Sequence, residues 1–218
     1  MAKPLVPVEG IPLIEHVIGN FLAAGIDNLA IIFNAREEDC ERFVRSRFPG
    51  DSIEILVKTT VSSYESYREI TAMLPSGPAL ISTVDAWCPR ADFVEFVRKA
   101  ARAPAEETVL AVTPFVSDEK PLWVRLDANG RITRIGGDTG EAVTAGMYVF
   151  SERARRLPAP PTLGRLRQYL AWLLEQGETV RGISIETVVD VDRATDVALA
   201  ARLVTTGSAR VAPKGDKL

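Results

Sequence analysis

Ala79-Leu80-Ile81-Ser82-Thr83-Val84-Asp85-Ala86-Trp87 is an apolar run that closes on a carboxylate. A short run this apolar predicts a strand, Ala79 to Val84, buried on both faces. Working back along the chain, Ser63 to Leu74 reads as a helix and Ile53 to Val57 as a strand. Before them come a charged amphipathic helix from about Glu37 to Phe48 and the buried strand Leu29 to Phe33. Leu13, Ile14, Val17, Ile18, Phe21 and Leu22 recur at helical spacing until Gly25 stops them. Working forward, a helix from about Asp92 to Ala101 turns Phe93, Phe96 and Val97 inward. Strands and helices alternating at this pitch require crossover connections. The expected fold is an α/β three-layer sandwich with a mostly parallel mixed sheet.

After Thr108 the texture changes. Val109 to Thr113, Leu122 to Leu126, Arg131 to Ile135 and Gly146 to Phe150 read as strands with few helices between them. Asp127-Ala128-Asn129-Gly130 supplies the turn chemistry that joins two of them as a hairpin. Leu163 to Glu175 then reads as a helix, Thr179 to Ile185 as a strand and Arg193 to Val204 as a closing helix. Pro158-Ala159-Pro160-Pro161 is a stiff surface loop, not a linker. One domain is expected over 1–205, with 206–218 as a mobile tail.

Composition narrows the function classes. The 218 residues are 46% hydrophobic, enough to bury one full core. The 26 basic and 29 acidic residues are interspersed, so no concentrated basic face is expected for nucleic acid. No apolar run is long enough to span a bilayer. Cys40 and Cys88 have no paired spacing, which suits free thiols in a reducing cytoplasm.

Candidate chemistry starts at Asp85. The carboxyl ends of parallel strands form the crevice where open sheets bind ligands. A carboxylate there is placed to hold Mg2+, which binds through one or two carboxylates plus substrate phosphates. A helix cap or turn explains an Asp at that position equally well. The second candidate lies in Val188-Val189-Asp190-Val191-Asp192-Arg193-Ala194-Thr195-Asp196. Asp190 and Asp192 are two apart, so in an extended segment they point the same way. Asp192 is a natural N-cap for the helix that follows, and Asp196 adds first-turn charge, which accounts for both. Asp190 has no such local explanation and is the better ligand candidate. His16 reads as a partly buried or surface side chain, Trp87 and Cys88 as packing residues, and Arg153, Arg155 and Arg156 as a solvated helix face.

Lys3-Pro4-Leu5-Val6-Pro7-Val8, then Pro12-Leu13-Ile14, Ser82-Thr83-Val84-Asp85 and Val189-Asp190-Val191-Asp192 occur in that order. Together they resemble the sugar-phosphate nucleotidyltransferases, including their molybdenum-cofactor-type branch, from Lys3 to about Val204. The resemblance implies a nucleotide-diphospho-sugar transferase-like fold and Mg2+-dependent transfer of a nucleotidyl group from a nucleoside triphosphate, with release of pyrophosphate. It implies a sugar 1-phosphate as acceptor, or an alcohol phosphate such as an inositol or choline derivative. Carried over by position, Asp85 and Asp190 are the implied metal ligands and Lys3 the catalytic lysine that contacts the reacting phosphates. Ser62, Ser63 and Thr83 fall on the nucleotide side, and Thr144 and Gly146 at the acceptor pocket. Strand packing explains Gly146 equally well.

The sequence also departs from that pattern. The family's first strand and Gly-rich phosphate loop precede its lysine, and here Lys3 stands two residues from the start. Lys3 is therefore expected to be frayed, and turnover by this chain to be slow. An open slot or edge is expected in the sheet beside Ala79 to Val84, inviting pairing with a second copy. Val84-Asp85 stands where the family has Gly-Asp. Glu119-Lys120-Pro121 precedes its strand, whereas the sugar-contacting triplet of relatives follows the hairpin, so no sugar role passes to Lys120. A non-catalytic binding relative is the second reading. A glycosyltransferase is the third, ranked last because Asp85-Ala86-Trp87 lacks a second Asp.

Overall fold

The computed structural model describes residues 1–116, 120–160 and 162–209. A 3-10 turn, Lys3–Leu5, leads into a short hairpin, β1 Pro7–Val8 and β2 Ile11–Pro12. There follow α1 Leu13–Ala23, β3 Asn28–Phe33, α2 Glu38–Arg47, β4 Ser52–Val57, α3 Ser63–Met73, β5 Ala79–Ser82, β6 Ala86–Trp87 and α4 Arg90–Ala100. The second part holds β7 Thr108–Thr113, β8 Trp123–Leu126, β9 Ile132–Ile135, β10 Ala142–Phe150, α5 Glu152–Arg156 and α6 Leu166–Glu175. β11 Val180–Ser184, β12 Val189–Asp190 and α7 Ala194–Ala209 complete it.

Alternation along two strands builds the three layers. On β7, Val109 and Ala111 pack with Phe93 and Phe96 of α4 on one face. Leu110 and Val112 pack with Tyr64 and Tyr67 of α3 and Tyr169 of α6 on the other. β10 repeats the pattern, with Met147 on the α4 side and Tyr148 and Phe150 on the aromatic side. Period-2 strands buried on both faces need helices on both faces, and α4 on one side with α3 and α6 on the other supply them.

The sheet is mixed, as expected, but the neighbours differ from a plain crossover series. β11 and β7 pair in parallel, and so do β3 and β4. β10 runs between β5 and β7, antiparallel to both, so those two strands point the same way without touching. β8 also pairs antiparallel with β10, and with β9 in the Asp127 to Gly130 hairpin. There the Asp127 carboxylate accepts the N–H groups of Asn129 (2.8 Å) and Arg131 (2.9 Å).

Among the described residues β3 is laddered only to β4, and β5 only to β10. Between them lies a groove of about 1030 Å³, walled by all of β3 and β5 and floored by Phe21, Tyr67 and Val149. Two open strand edges thus face a shared apolar space.

Three expectations are corrected. Lys3 is not frayed: it sits in the 3-10 turn, where the Val6 N–H reaches its carbonyl at 3.1 Å, and its side chain is ion-paired. Arg155 is not a solvated residue. Its guanidinium donates to the carbonyls of Thr71, Leu74, Pro75 and Gly77, gathering the chain that leaves α3. α7 continues to Ala209, so 206–209 belong to a helix, not a tail. Residues 210–218 and Glu119 of the Glu-Lys-Pro triplet lie outside the described residues.

Candidate active site

Asp85 sits beyond the end of β5, in the link to β6. The link is shaped by Gly146, whose φ of +70° interrupts β10 in a left-handed conformation. The Gly146 carbonyl accepts the Thr83 N–H at 2.9 Å. A Cβ on Gly146 would lie 2.5 Å from Ala86 Cβ and 2.7 Å from Thr83 Oγ1. Only glycine lets the Asp85 link approach this closely. Gly146 therefore seats the carboxylate's loop, combining the packing role with its place in the cavity wall.

The second carboxylate arrives on β12. Its two residues pair antiparallel with β6, setting Asp190 opposite Ala86. The Val191 N–H donates to the Asp85 carbonyl at 3.0 Å, closing the loop over the site. Val188, Val189 and Val191 are buried, anchoring the segment, while Asp190 between them and Asp192 after them are more exposed. Asp85, Asp190 and Asp192 each offer an oxygen within 4.8 Å of the others.

Asp192 is the member that sequence reasoning missed. α7 begins at Ala194, and the Asp196 carboxylate reaches back to accept the N–H groups of Asp192 (3.1 Å) and Arg193 (2.8 Å). The Asp192 carboxylate lies beside Lys3 and Asp85. The only available signal was the two-residue spacing to Asp190.

Lys3 closes the group. Its ammonium donates to Asp85 at 2.6 Å and also to Asp192, with the lysine side chain 36% exposed. Burial pulls its pKa down, but the charge of Asp85 and the hydrogen bond to Asp192 outweigh burial and leave it above the usual lysine value. The ammonium stays charged and already acts as a cation among these acids. All the donors are carboxylate oxygens, hard ligands that suit Mg2+ better than a soft metal.

Beside the carboxylates opens a second cavity of about 460 Å³, where Ser63, Thr83, Asp85, Thr144, Gly146 and Asp190 meet. Ser62 is not among its walls. Its hydroxyl accepts the Glu65 N–H at 3.1 Å and caps α3. Ser63 Oγ accepts the Leu166 N–H at 3.1 Å, joining the starts of α3 and α6. Tyr148 lies at the floor of this cavity, its hydroxyl pushed up to about 12, mainly by burial and partly offset by the Thr144 side chain. Arg165 and Arg167 also line it, and neither was anticipated from the sequence.

The packing readings of the nearby residues hold. Cys88 is buried, and burial together with Asp92 pushes its thiol up to about 12, so it is an inert core group. Trp87 is buried edge-on to His16, with ring centroids 6.3 Å apart, and His16 faces the Val8 carbonyl at 3.1 Å.

No protein-family model matches the sequence. One curated protein, CMP-5'-(3-aminopropyl)phosphonate synthase of Streptomyces rubellomurinus (strain ATCC 31215), is 26% identical over 181 residues. The alignment takes in 75% of this chain and 27% of that protein, so the chain spans about a quarter of its relative's length. Among solved structures, the inositol-1-phosphate CTP transferase from T. maritima superposes with a TM-score of 0.77 at 16% identity, covering 95% of this chain and 89% of that one. An apo UDP-glucose pyrophosphorylase superposes at 0.76 and 11% identity, covering 95% and 92%. HddC from Yersinia pseudotuberculosis, complexed with GMP-PN, superposes at 0.73 and 12% identity, covering 93% and 89%. The chain has the fold of the sugar-phosphate nucleotidyltransferases, with the mixed central sheet that they share.

Proposed function

We propose that this chain is the catalytic fold of a cytoplasmic nucleotidyltransferase that joins a nucleoside monophosphate to a small phosphorylated or phosphonylated acceptor. The observation that carries the reading is the meeting of Lys3, Asp85, Asp190 and Asp192, with Asp85 and Asp190 also lining the cavity beside them. The two buried free thiols, Cys40 and Cys88, agree with a reducing compartment. Among the described residues no helix is long and apolar enough to cross a membrane.

In the proposed reaction, an oxygen of the acceptor's phosphate or phosphonate forms a bond to the α-phosphorus of the triphosphate. The bond from that phosphorus to the α–β bridging oxygen breaks, and pyrophosphate leaves with the electron pair. Such a transfer asks the protein for position and charge, because both partners are anions. Asp85, Asp190 and Asp192 would hold Mg2+, which when bound neutralises phosphate charge and orients the oxygens around it. The Lys3 ammonium, fixed beside them, adds a permanent cation for the α-phosphate. Thr83 and Ser63 line the nucleotide side of the cleft, and Thr144 and Gly146 the acceptor side.

The test is pyrophosphate release with Mg2+, each common nucleoside triphosphate and a panel of phosphate and phosphonate acceptors. Turnover that depends on both substrates and falls at least a hundredfold in Asp85→Asn and Asp190→Asn supports the reading, on the order expected for loss of electrostatic positioning. Triphosphate binding without turnover for any acceptor would favour a non-catalytic binding protein instead.

A further inference from the structure

The acceptor cavity has two electrically different ends. One end holds the carboxylates Asp85 and Asp190. The other is walled by the start of α6, where Arg165 immediately precedes the helix and Arg167 lies in its first turn. The peptide that carries the arginines is tied down. Gln168 Oε1 accepts the N–H groups of Gly164 and Arg165, both at 2.9 Å, and Ser63 Oγ holds that of Leu166. Arg167 is half-buried and donates to the Lys120 carbonyl at 3.2 Å, which leaves its other guanidinium N–H groups available. β10 separates the two groups: the Gly146 carbonyl accepts the Thr83 N–H beside Asp85, whereas the Thr144 N–H donates to Leu122, two residues from the Lys120 carbonyl that Arg167 holds.

This polarity bears on the acceptor. Under the proposed function its attacking phosphate must come to the carboxylate end, where Lys3 and the metal ligands are. The arginine end is then left for the rest of the molecule. A neutral sugar hydroxyl gains little from two guanidinium groups, and an ammonium head is repelled by them. Among the described residues the only acids lining the cavity are the two at the opposite end. A carboxylate or a second phosphate matches the fork geometry of arginine.

Resting on that reading, we propose that the acceptor carries a second anionic group, remote from the phosphate that attacks, and that Arg165 and Arg167 hold it. The substrate class is then a sugar-acid phosphate or a bis-phosphorylated alcohol, and the two arginines determine specificity.

The experiment compares three probes by calorimetry, on the full chain with Mg2+ and a non-hydrolysable triphosphate: α-glucuronic acid 1-phosphate, α-glucose 1-phosphate and phosphocholine. The acid is expected to bind at least about tenfold tighter than glucose 1-phosphate, the size of one charge-assisted hydrogen bond, and phosphocholine weakest. In the Arg165→Ala/Arg167→Ala double variant that advantage should vanish, while glucose 1-phosphate affinity stays within about twofold, since its shared phosphate is held at the other end. If the double variant fails to fold, Arg167→Gln keeps the test, with a partial loss confined to the acid. Equal binding of the acid and glucose, or equal weakening of both in the variants, overturns the proposal. Tight, arginine-dependent binding of the acid without pyrophosphate release from any triphosphate would sink the transferase reading and leave the anion pocket standing. Turnover that favours glucose 1-phosphate or phosphocholine would do the reverse.

Discussion

Replacing Gly146 by alanine should break the candidate site from behind, and the structure gives the size of the effect. At φ +70° an alanine takes the left-handed conformation, at a cost of roughly 1–2 kcal/mol. Its Cβ also collides with Ala86 Cβ at 2.5 Å and Thr83 Oγ1 at 2.7 Å, and overpacking of this kind adds roughly 1–3 kcal/mol. The sum, about 2–5 kcal/mol, corresponds to a fall in Tm of roughly 5–15 °C for a chain of this size. Gly177 is the internal control. Its φ is +77° with nothing within 4 Å of the added Cβ, so Gly177→Ala carries only the conformational part. The collision has a second consequence, because the atoms it pushes belong to the link that carries Asp85. Mn2+ titration followed by electron paramagnetic resonance should therefore show weaker binding in Gly146→Ala and unchanged binding in Gly177→Ala. Equal Tm values and equal Mn2+ affinities for the two variants would refute the claim that Gly146 seats the proposed metal-binding loop.

Arg155→Ala removes donors from four carbonyls at the exit of α3 and should cost about 2–4 kcal/mol by urea unfolding, whereas Arg156→Ala, on exposed partners, should cost under about 1 kcal/mol. Cys88 has its thiol raised by burial to about 12 from a value near 9, so the unfolded chain loses that proton first as pH rises. Stability should then hold below about pH 9 and fall above it, with Ellman's reagent reacting only as the chain unfolds; a Cys88→Ala chain with the same alkaline slope would remove Cys88 as the cause. In hydrogen exchange, amides of β3 and β5 should exchange faster than those of β7, which is laddered on both sides, and the groove between them should bind an apolar dye. Equal protection across the three strands would mean that the groove is filled in solution.

What the sequence made legible was the periodic part. The alternation of Val109, Leu110, Ala111 and Val112, and the helical stripe from Leu13 to Leu22, follow from burial alone and reappear at their expected places. What it hid were competitions settled by tertiary contact. β5 was expected to run to Val84 but ends at Ser82, because the left-handed turn at Gly146 ends the ladder it was using. The same glycine marks an interruption inside β10, not its start, so the strand begins four residues earlier, at Ala142. Asp192 before a helix reads as a cap, yet its carboxylate is held by Lys3, a partner 189 residues away that local sequence does not announce. Arg165 and Arg167 carry no local signal at all, since α6 could present that turn to solvent or to a cavity until its packing is known.

The charge balance of the site argues that it was retained for a ligand. Three carboxylates converge and one ammonium answers them, which leaves the group at a formal charge of −2 by three acids less one base. Like charges within a few ångströms oppose folding, and partly exposed ion pairs such as those of Lys3 return little stability. A sequence selected for stability alone would keep the buried Val188, Val189 and Val191 and replace the neighbouring Asp190 and Asp192. Instead the fold uses a left-handed glycine and a two-strand ladder to bring these acids together. The deficit of positive charge is the size that a divalent cation would cancel. The triphosphate it would accompany then restores the net negative charge, which Lys3 at one end and the arginine pair at the other are placed to meet. On this view the electrostatic cost of gathering these acids and their proposed affinity for a metal–nucleotide pair have the same origin.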